Sequence, residues 1–239
     1  MYPVMASAAT LPLCCRTVQA KSLDGRLEEW QEREIIIDKS YWHPVLAQQP
    51  VYGGANDLFA TLRMAWDKEN LYLAVTVRDD FLMPAKSDAL DRGDSVLLTF
   101  APARVRKDIV AAPVELALSA THLSLVYQRG KNGKWLPRED IKLGFSRHHL
   151  TVPKLAMPRE AGKKPPKFIT KTCYELAIPW KILPAITPRV GNTFGLLVQV
   201  LDTDDGKTLR GSLKWRGNHG LPRTPTGFGQ VQFAPPVGK

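Results

Sequence analysis

No apolar run in this chain approaches the ~18 residues that a membrane-spanning helix requires, so the sequence offers no transmembrane helix. Cysteine is scarce: Cys14, Cys15 and Cys173 are odd in number, and two of them are adjacent. That excludes a zinc spacing and a dense disulfide framework. Adjacent cysteines rarely bridge each other, because the ring is strained. The pairing left open is Cys14 or Cys15 with Cys173, which needs the N-terminal strand beside the strand at Cys173. Catalytic signatures are also missing: there is no Gly-x-Ser-x-Gly elbow, P-loop, dinucleotide fingerprint or His-Glu-x-x-His. Paired carboxylates of the glycosidase kind escape such a scan, since any two acids can meet in space. The obvious candidates, Asp79-Asp80, fall at a strand end, where turn hydrogen bonding accounts for them. His148-His149 lacks partners at metal-ligand spacing and reads as a surface pair. Internal repeats and low-complexity tracts are absent.

What is present is a chain of 239 residues, 44% apolar, with six Trp and nineteen Pro. It can bury a full core, and its composition favours strands and shaped loops over helices. The net charge is +10 and the pI is near 9.6, which makes polyanions candidate partners. The excess is concentrated at Arg147, Lys154, Arg159, Lys163, Lys164, Lys167 and Lys171, opposed only by Glu160. Pro153, Pro158, Pro165 and Pro166 make this stretch an extended loop, either a solvated basic surface or a polyanion contact. No nucleic-acid motif accompanies it, so DNA and RNA are not expected partners. Residues 1–20 are small and apolar around Met5–Cys15 but lack a basic n-region. They make a poor secretory signal and stand as either a leader remnant or a first strand. Residues 21–239 are expected to form one domain.

Period-2 alternation dominates the middle of the chain. Ala60, Leu62, Met64 and Trp66 alternate with smaller or polar residues, and so do Leu71, Leu73, Val75 and Val77. Asp67-Lys68-Glu69-Asn70 between them predicts a hairpin with Trp66 and Tyr72 on opposite faces. Further strands are expected at Ile35–Ile37, 95–100, 114–119, 123–127, 142–146, 172–179, 193–201 and 229–233. Asp24-Gly25 and Gly130–Gly133 are turns, Leu27–Glu32 a short amphipathic or capping segment, and 41–56 a loop. One helical turn is expected at Trp180–Leu183. Many short strands separated by turns predict an all-β antiparallel sandwich, jelly-roll-like and with long loops.

Two kinds of chemistry suit such a scaffold. Hard cations such as calcium want clustered oxygen ligands, and Asp202-Thr203-Asp204-Asp205-Gly206 supplies carboxylates on a tight loop, without the EF-hand spacing. Asp202, Asp204 and Asp205, or Asp24 near the N-terminus, are the candidate ligands; a solvated hairpin turn is the alternative. Sugars stack their C–H faces on aromatic rings. Trp66 and Trp180 follow apolar strands and belong to the core, whereas Trp135 and Trp215 are candidate exposed rings.

The ordered set Leu23-Asp24-Gly25…Trp30, Ala65-Trp66-Asp67…Leu71-Tyr72-Leu73, Gly93-Asp94-Ser95-Val96, Tyr174–Trp180, Gly195 with Asp202, and Gly227-Phe228-Gly229 resembles the family 9 carbohydrate-binding modules. The resemblance spans about Leu23 to Phe233. It implies a non-catalytic β-sandwich, commonly calcium-supported, that binds sugar chain ends in an exported bacterial polysaccharide-handling system, hence secreted or periplasmic. In the family pattern two Trp clamp the sugar. Here Asp91 stands at about the first position and Leu221 or Pro222 at the second. A Glu of the pattern is Leu97 and an Arg is Ala117, while Gln199 matches and Asn218 matches approximately. The sugar-contacting set expected here is therefore Trp215, Gln199, Asn218, Arg216 and Arg92, with positive charge favouring acidic glycans. The alternative is a sandwich that has lost sugar binding and serves protein interaction or structure.

Overall fold

The structure is a computed structural model that describes residues 12–17, 19–44, 52–103, 113–119, 126–151, 168–215 and 228–236. Its strands are β1 (Leu13–Arg16), β2 (Ile35–Ile37), β3 (Trp42–Pro44), β4 (Leu58–Trp66), β5 (Asn70–Asp79), β6 (Ser95–Pro102) and β7 (Val114–Leu118). They continue as β8 (Val126–Arg129), β9 (Trp135–Pro137), β10 (Lys142–Thr151), β11 (Phe168–Pro179), β12 (Thr193–Asp202), β13 (Gly211–Trp215) and β14 (Gly229–Ala234). Among the described residues there is no α-helix, only 3-10 turns at Lys39–Tyr41 and Trp180–Ile182.

The strands form one continuous ladder, β10-β11-β5-β4-β1-β14-β12-β6-β7-β8-β9, folded into two layers. Every long pairing is antiparallel, but β1 runs parallel to both β4 and β14 and so stitches the layers together. The β4–β5 hairpin has the expected register, with Trp66 opposite Leu71 and Ala65 opposite Tyr72. Its turn is built by Asp67, whose Oδ1 accepts the Glu69 and Asn70 N–H groups at 2.7 Å, while Oδ2 accepts the Tyr72 hydroxyl at 2.8 Å.

Alternation sends Leu71, Leu73 and Val75 of one layer and Val96, Leu98, Leu196 and Val198 of the other into a shared core, the physical basis of a sandwich. At one end Phe233 touches Trp66 and Phe194, with centroids 5.2 and 5.0 Å apart. The opposite phase of β4, β5 and β11 packs Ala65, Tyr72, Ala74 and Ala177 beneath Trp30, so the 23–30 segment covers the outside of that layer. Trp30 Nε1 and the Gly25 N–H both donate to Glu175 at 2.6 Å. Gly25 sits at φ +79°, and a Cβ on Gly144 would come within 2.3 Å of the Leu23 backbone, so the Asp24-Gly25 turn lies directly on β10.

Leu27–Glu32 holds a turn, closed by Trp30 N–H to Leu27 C=O at 3.1 Å, and its Leu27 and Trp30 side chains cover the layer beneath. Two readings are corrected. The 41–56 stretch holds a strand, β3, and β13 was not anticipated; the two pair with each other. Cys14, Cys15 and Cys173 are all free thiols.

Candidate functional site

Three strands end or begin in an aspartate at the same end of the sandwich. Asp79 closes β5, Asp94 stands just before β6, and Asp202 closes β12; antiparallel pairing of Leu201 with Ser95 brings the last two together. Carboxylate oxygens of Asp79, Asp94 and Asp202 lie within 4.8 Å of one another, and all three residues are at most 4% exposed. Asp94 accepts the Thr203 N–H at 2.8 Å and also the Met83 N–H, and Asp79 accepts the Phe81 N–H at 2.8 Å. Asp202 Oδ1 is buried without a hydrogen-bond partner in the structure.

Like charges out of water disfavour ionisation. Burial first, then repulsion from Asp94, holds Asp79 well above the ordinary carboxylate range. Burial pushes Asp94 up to about 8, with Asp202 adding to it, and pushes Asp202 up to about 9, with Asp79 adding to it. Burial and mutual repulsion thus favour the protonated forms of Asp94 and Asp202 at neutral pH.

A second acidic group, Asp57, Asp80 and Asp204, lies alongside. Here the compensating charge is Arg210, whose Nη1 stands 2.9 Å from Asp57 Oδ1, 2.9 Å from Asp204 Oδ1 and 3.4 Å from Asp202 Oδ2. Burial opposes its charge, but the surrounding carboxylates more than offset that and keep the guanidinium protonated. Asp202 thus belongs to the triad and also faces Arg210 through Oδ2. A donor set of carboxyl groups alone, enclosed from solvent, is of the kind that a hard divalent cation such as calcium takes, and Asp79, Asp94 and Asp202 are the residues that could hold one.

Of the ligands expected from sequence, Asp202 and Asp204 are in these groups. Asp205 is exposed and caps its own loop: its Oδ1 accepts the Thr208 and Lys207 N–H groups, which lower it to about 2. Asp24 is exposed, accepts the Arg26 N–H at 2.8 Å and belongs to neither group. Asp57, Asp94 and Arg210 were missed as site residues, and Asp79-Asp80 were noticed but read as strand-end turn residues. The available signal was an acid at the end of each of three apolar strands, which only the topology brings together.

On the outer face of the other layer, register lines up Lys214, Gln199, Leu97, Ala117 and Tyr127 in one transverse row. Gln199 is half-buried and donates from Nε2 to Ser212 Oγ at 3.2 Å. Leu97, Ala117 and Tyr127 are buried with Leu90 and Ala85, and Trp135 packs on them half-buried under Arg129. Trp215 is the principal correction: it pairs with Val198, takes the inward phase and is 1% exposed in the core, so it is no stacking platform. Arg92 is exposed on the 85–94 loop; Arg216 and Asn218 lie outside the described residues.

No family model matches the sequence, and no curated protein matches it. Solved structures do match. A presumed carbohydrate-binding protein from Bacteroides uniformis superposes with a TM-score of 0.59 at 12% identity, covering 93% of this chain and 98% of that one. A family 9 carbohydrate-binding module from Caldicellulosiruptor kristjanssonii in complex with cellotriose gives 0.52 at 15% identity, covering 95% of each chain. The same organism's module in complex with glucose gives 0.52 at 14% identity, with 94% and 97% covered. Over nearly its whole length the chain is thus similar to these modules, and it has the β-sandwich fold of the family 9 carbohydrate-binding modules.

Proposed function

We propose that this protein is a non-catalytic carbohydrate-binding module of an exported bacterial polysaccharide-handling system, supported by calcium and favouring acidic glycans. The observation that carries the reading is the end-to-end likeness to modules that hold cellotriose and glucose. The three clustered carboxyl groups are closed to solvent, so no glycosidic bond reaches them as it would in a hydrolase. Calcium fits them because it would neutralise charges that otherwise must be protonated. When bound it supplies structural cross-linking: Asp79 and Asp94 already anchor the 81–83 backbone, and Asp202 ends β12. The preference for acidic chains follows from the net charge of +10.

One observation favours a second reading, a sandwich that has lost sugar binding and serves as an interaction or structural module. Leu97 and Ala117, beside Gln199, are apolar and buried where a sugar site needs polar groups to fix hydroxyls. A glycan array probed with the full chain, in millimolar calcium and in EDTA, separates the two. The binding reading expects hits enriched in uronate-bearing chains and weakened by EDTA. An array blank in both buffers supports the interaction module instead.

A further inference from the structure

A concave feature of about 470 Å³, the size of a small-ligand site, opens at the end of the β10–β11 hairpin. Phe81 and Met83 form one wall, Arg147, His149 and Phe168 the other, and Asp80 also lines it. Arg147 and His149 share the phase of Leu143 and Phe145 on β10, but they lie beyond the core, where that phase meets solvent. The first wall is fixed, because the Phe81 and Met83 N–H groups are held by Asp79 and Asp94. Phe168 is 45% exposed and Met83 39%, so apolar surface on the rim of the cavity is open to solvent. The Phe168 and His149 rings lie 4.5 Å apart, tilted by 57°, and together present an aromatic surface.

We propose that this pocket takes an acidic sugar residue, a uronate within a glycan chain. Its C–H face would rest on Phe168 and His149, with its carboxylate toward Arg147. The assignment rests on the carbohydrate-binding reading and places the ligand away from the Gln199 row. Aromatic rings accept the apolar face of a pyranose, and a guanidinium matches a carboxylate in a planar, two-bond geometry. The chain's net charge of +10 also favours an anion.

The test is fluorescence anisotropy with labelled oligogalacturonate and labelled cello-oligosaccharide on the full chain in calcium, at low and high salt. Phe168→Ala and Arg147→Gln remove exposed side chains, and an unchanged melting temperature confirms that both variants fold. Phe168→Ala should weaken oligogalacturonate about tenfold, the scale of one aromatic contact. Arg147→Gln should weaken it several-fold and flatten its salt dependence, because an exposed charge pair is screened over about 8 Å at physiological salt. Wild-type affinity in both variants overturns the assignment, and loss on Gln199→Ala would then place the sugar on the outer row. Tighter binding of the neutral chain overturns the acidic class. Absence of binding to either chain in the wild type defeats the carbohydrate reading itself, and the pocket's assignment with it.

Discussion

Trp215 and the buried aspartates are both set by strand register rather than by their immediate sequence neighbours. Trp215 stands beside Lys214 and Arg216, and local sequence makes it look exposed; its β13 register instead turns it into the core. Trp215→Ala should therefore cost about 3–5 kcal/mol of folding stability through an unfilled cavity, read from denaturant unfolding. A change below about 1 kcal/mol would contradict the core assignment. The aspartate triad makes a prediction with a definite sign. Asp94 and Asp202 have folded-state values raised to about 8 and about 9, above the ordinary value near 4. Between those values the native state holds more protons than the unfolded chain, so their contribution is full at low pH and is lost as pH rises. In EDTA the melting temperature should fall between about pH 5 and pH 9, and millimolar calcium should suppress the fall. Saturation at about 100 times the dissociation constant would add about 2.7 kcal/mol. Superimposable pH profiles in EDTA and calcium would remove the cation from the account.

At the scale of elements, two joints hold the fold's edges. Arg210 ties the start of β4, through Asp57, to the 202–210 loop. Replacing it with Met leaves carboxylates buried without their counter-ion, and the expected cost is about 3–5 kcal/mol in urea unfolding. An unchanged midpoint would mean that the acids rearrange freely. The Asp24-Gly25 turn is the second joint. Gly144→Ala drives a Cβ into the Leu23 backbone, so the 19–34 segment should come off the sheet and expose Trp30. Limited proteolysis should then cut near Arg26 or Arg33 well before the wild type is cut; equal cleavage rates would show that β10 yields instead. Strands, hairpin turns and the Trp66/Tyr72 phase were legible in the sequence, because a period of 2 and an Asp-initiated turn are local facts. The acid triad was not, since Asp79, Asp94 and Asp202 lie far apart in the chain and meet only through the layer topology. Nor was the parallel pairing of β1, which depends on two strands from opposite ends of the sequence.

For the whole molecule, the sandwich brings together the buried acid cluster and the 81–83 backbone that it holds, with Arg147 and His149 of the β10–β11 hairpin lining the adjoining pocket. The outer Gln199 row is apolar and buried at Leu97 and Ala117. The family resemblance was legible because its motifs are structural: Gly25 and Trp30 dock on Glu175, and Asp94 and Asp202 face each other. The candidate sugar contacts were not, because the exposure of a ring such as Trp215 is set by strand register, which the local sequence does not reveal. The most direct test of the central claim is titration calorimetry of the wild-type, calcium-loaded chain with oligogalacturonate and cello-oligosaccharide at physiological salt, with the recovered sugar analysed for cleavage. The account predicts saturable one-to-one binding, tighter for the acidic chain, and sugar recovered intact. Absence of heat with both ligands, or recovery of shortened chains, would contradict it.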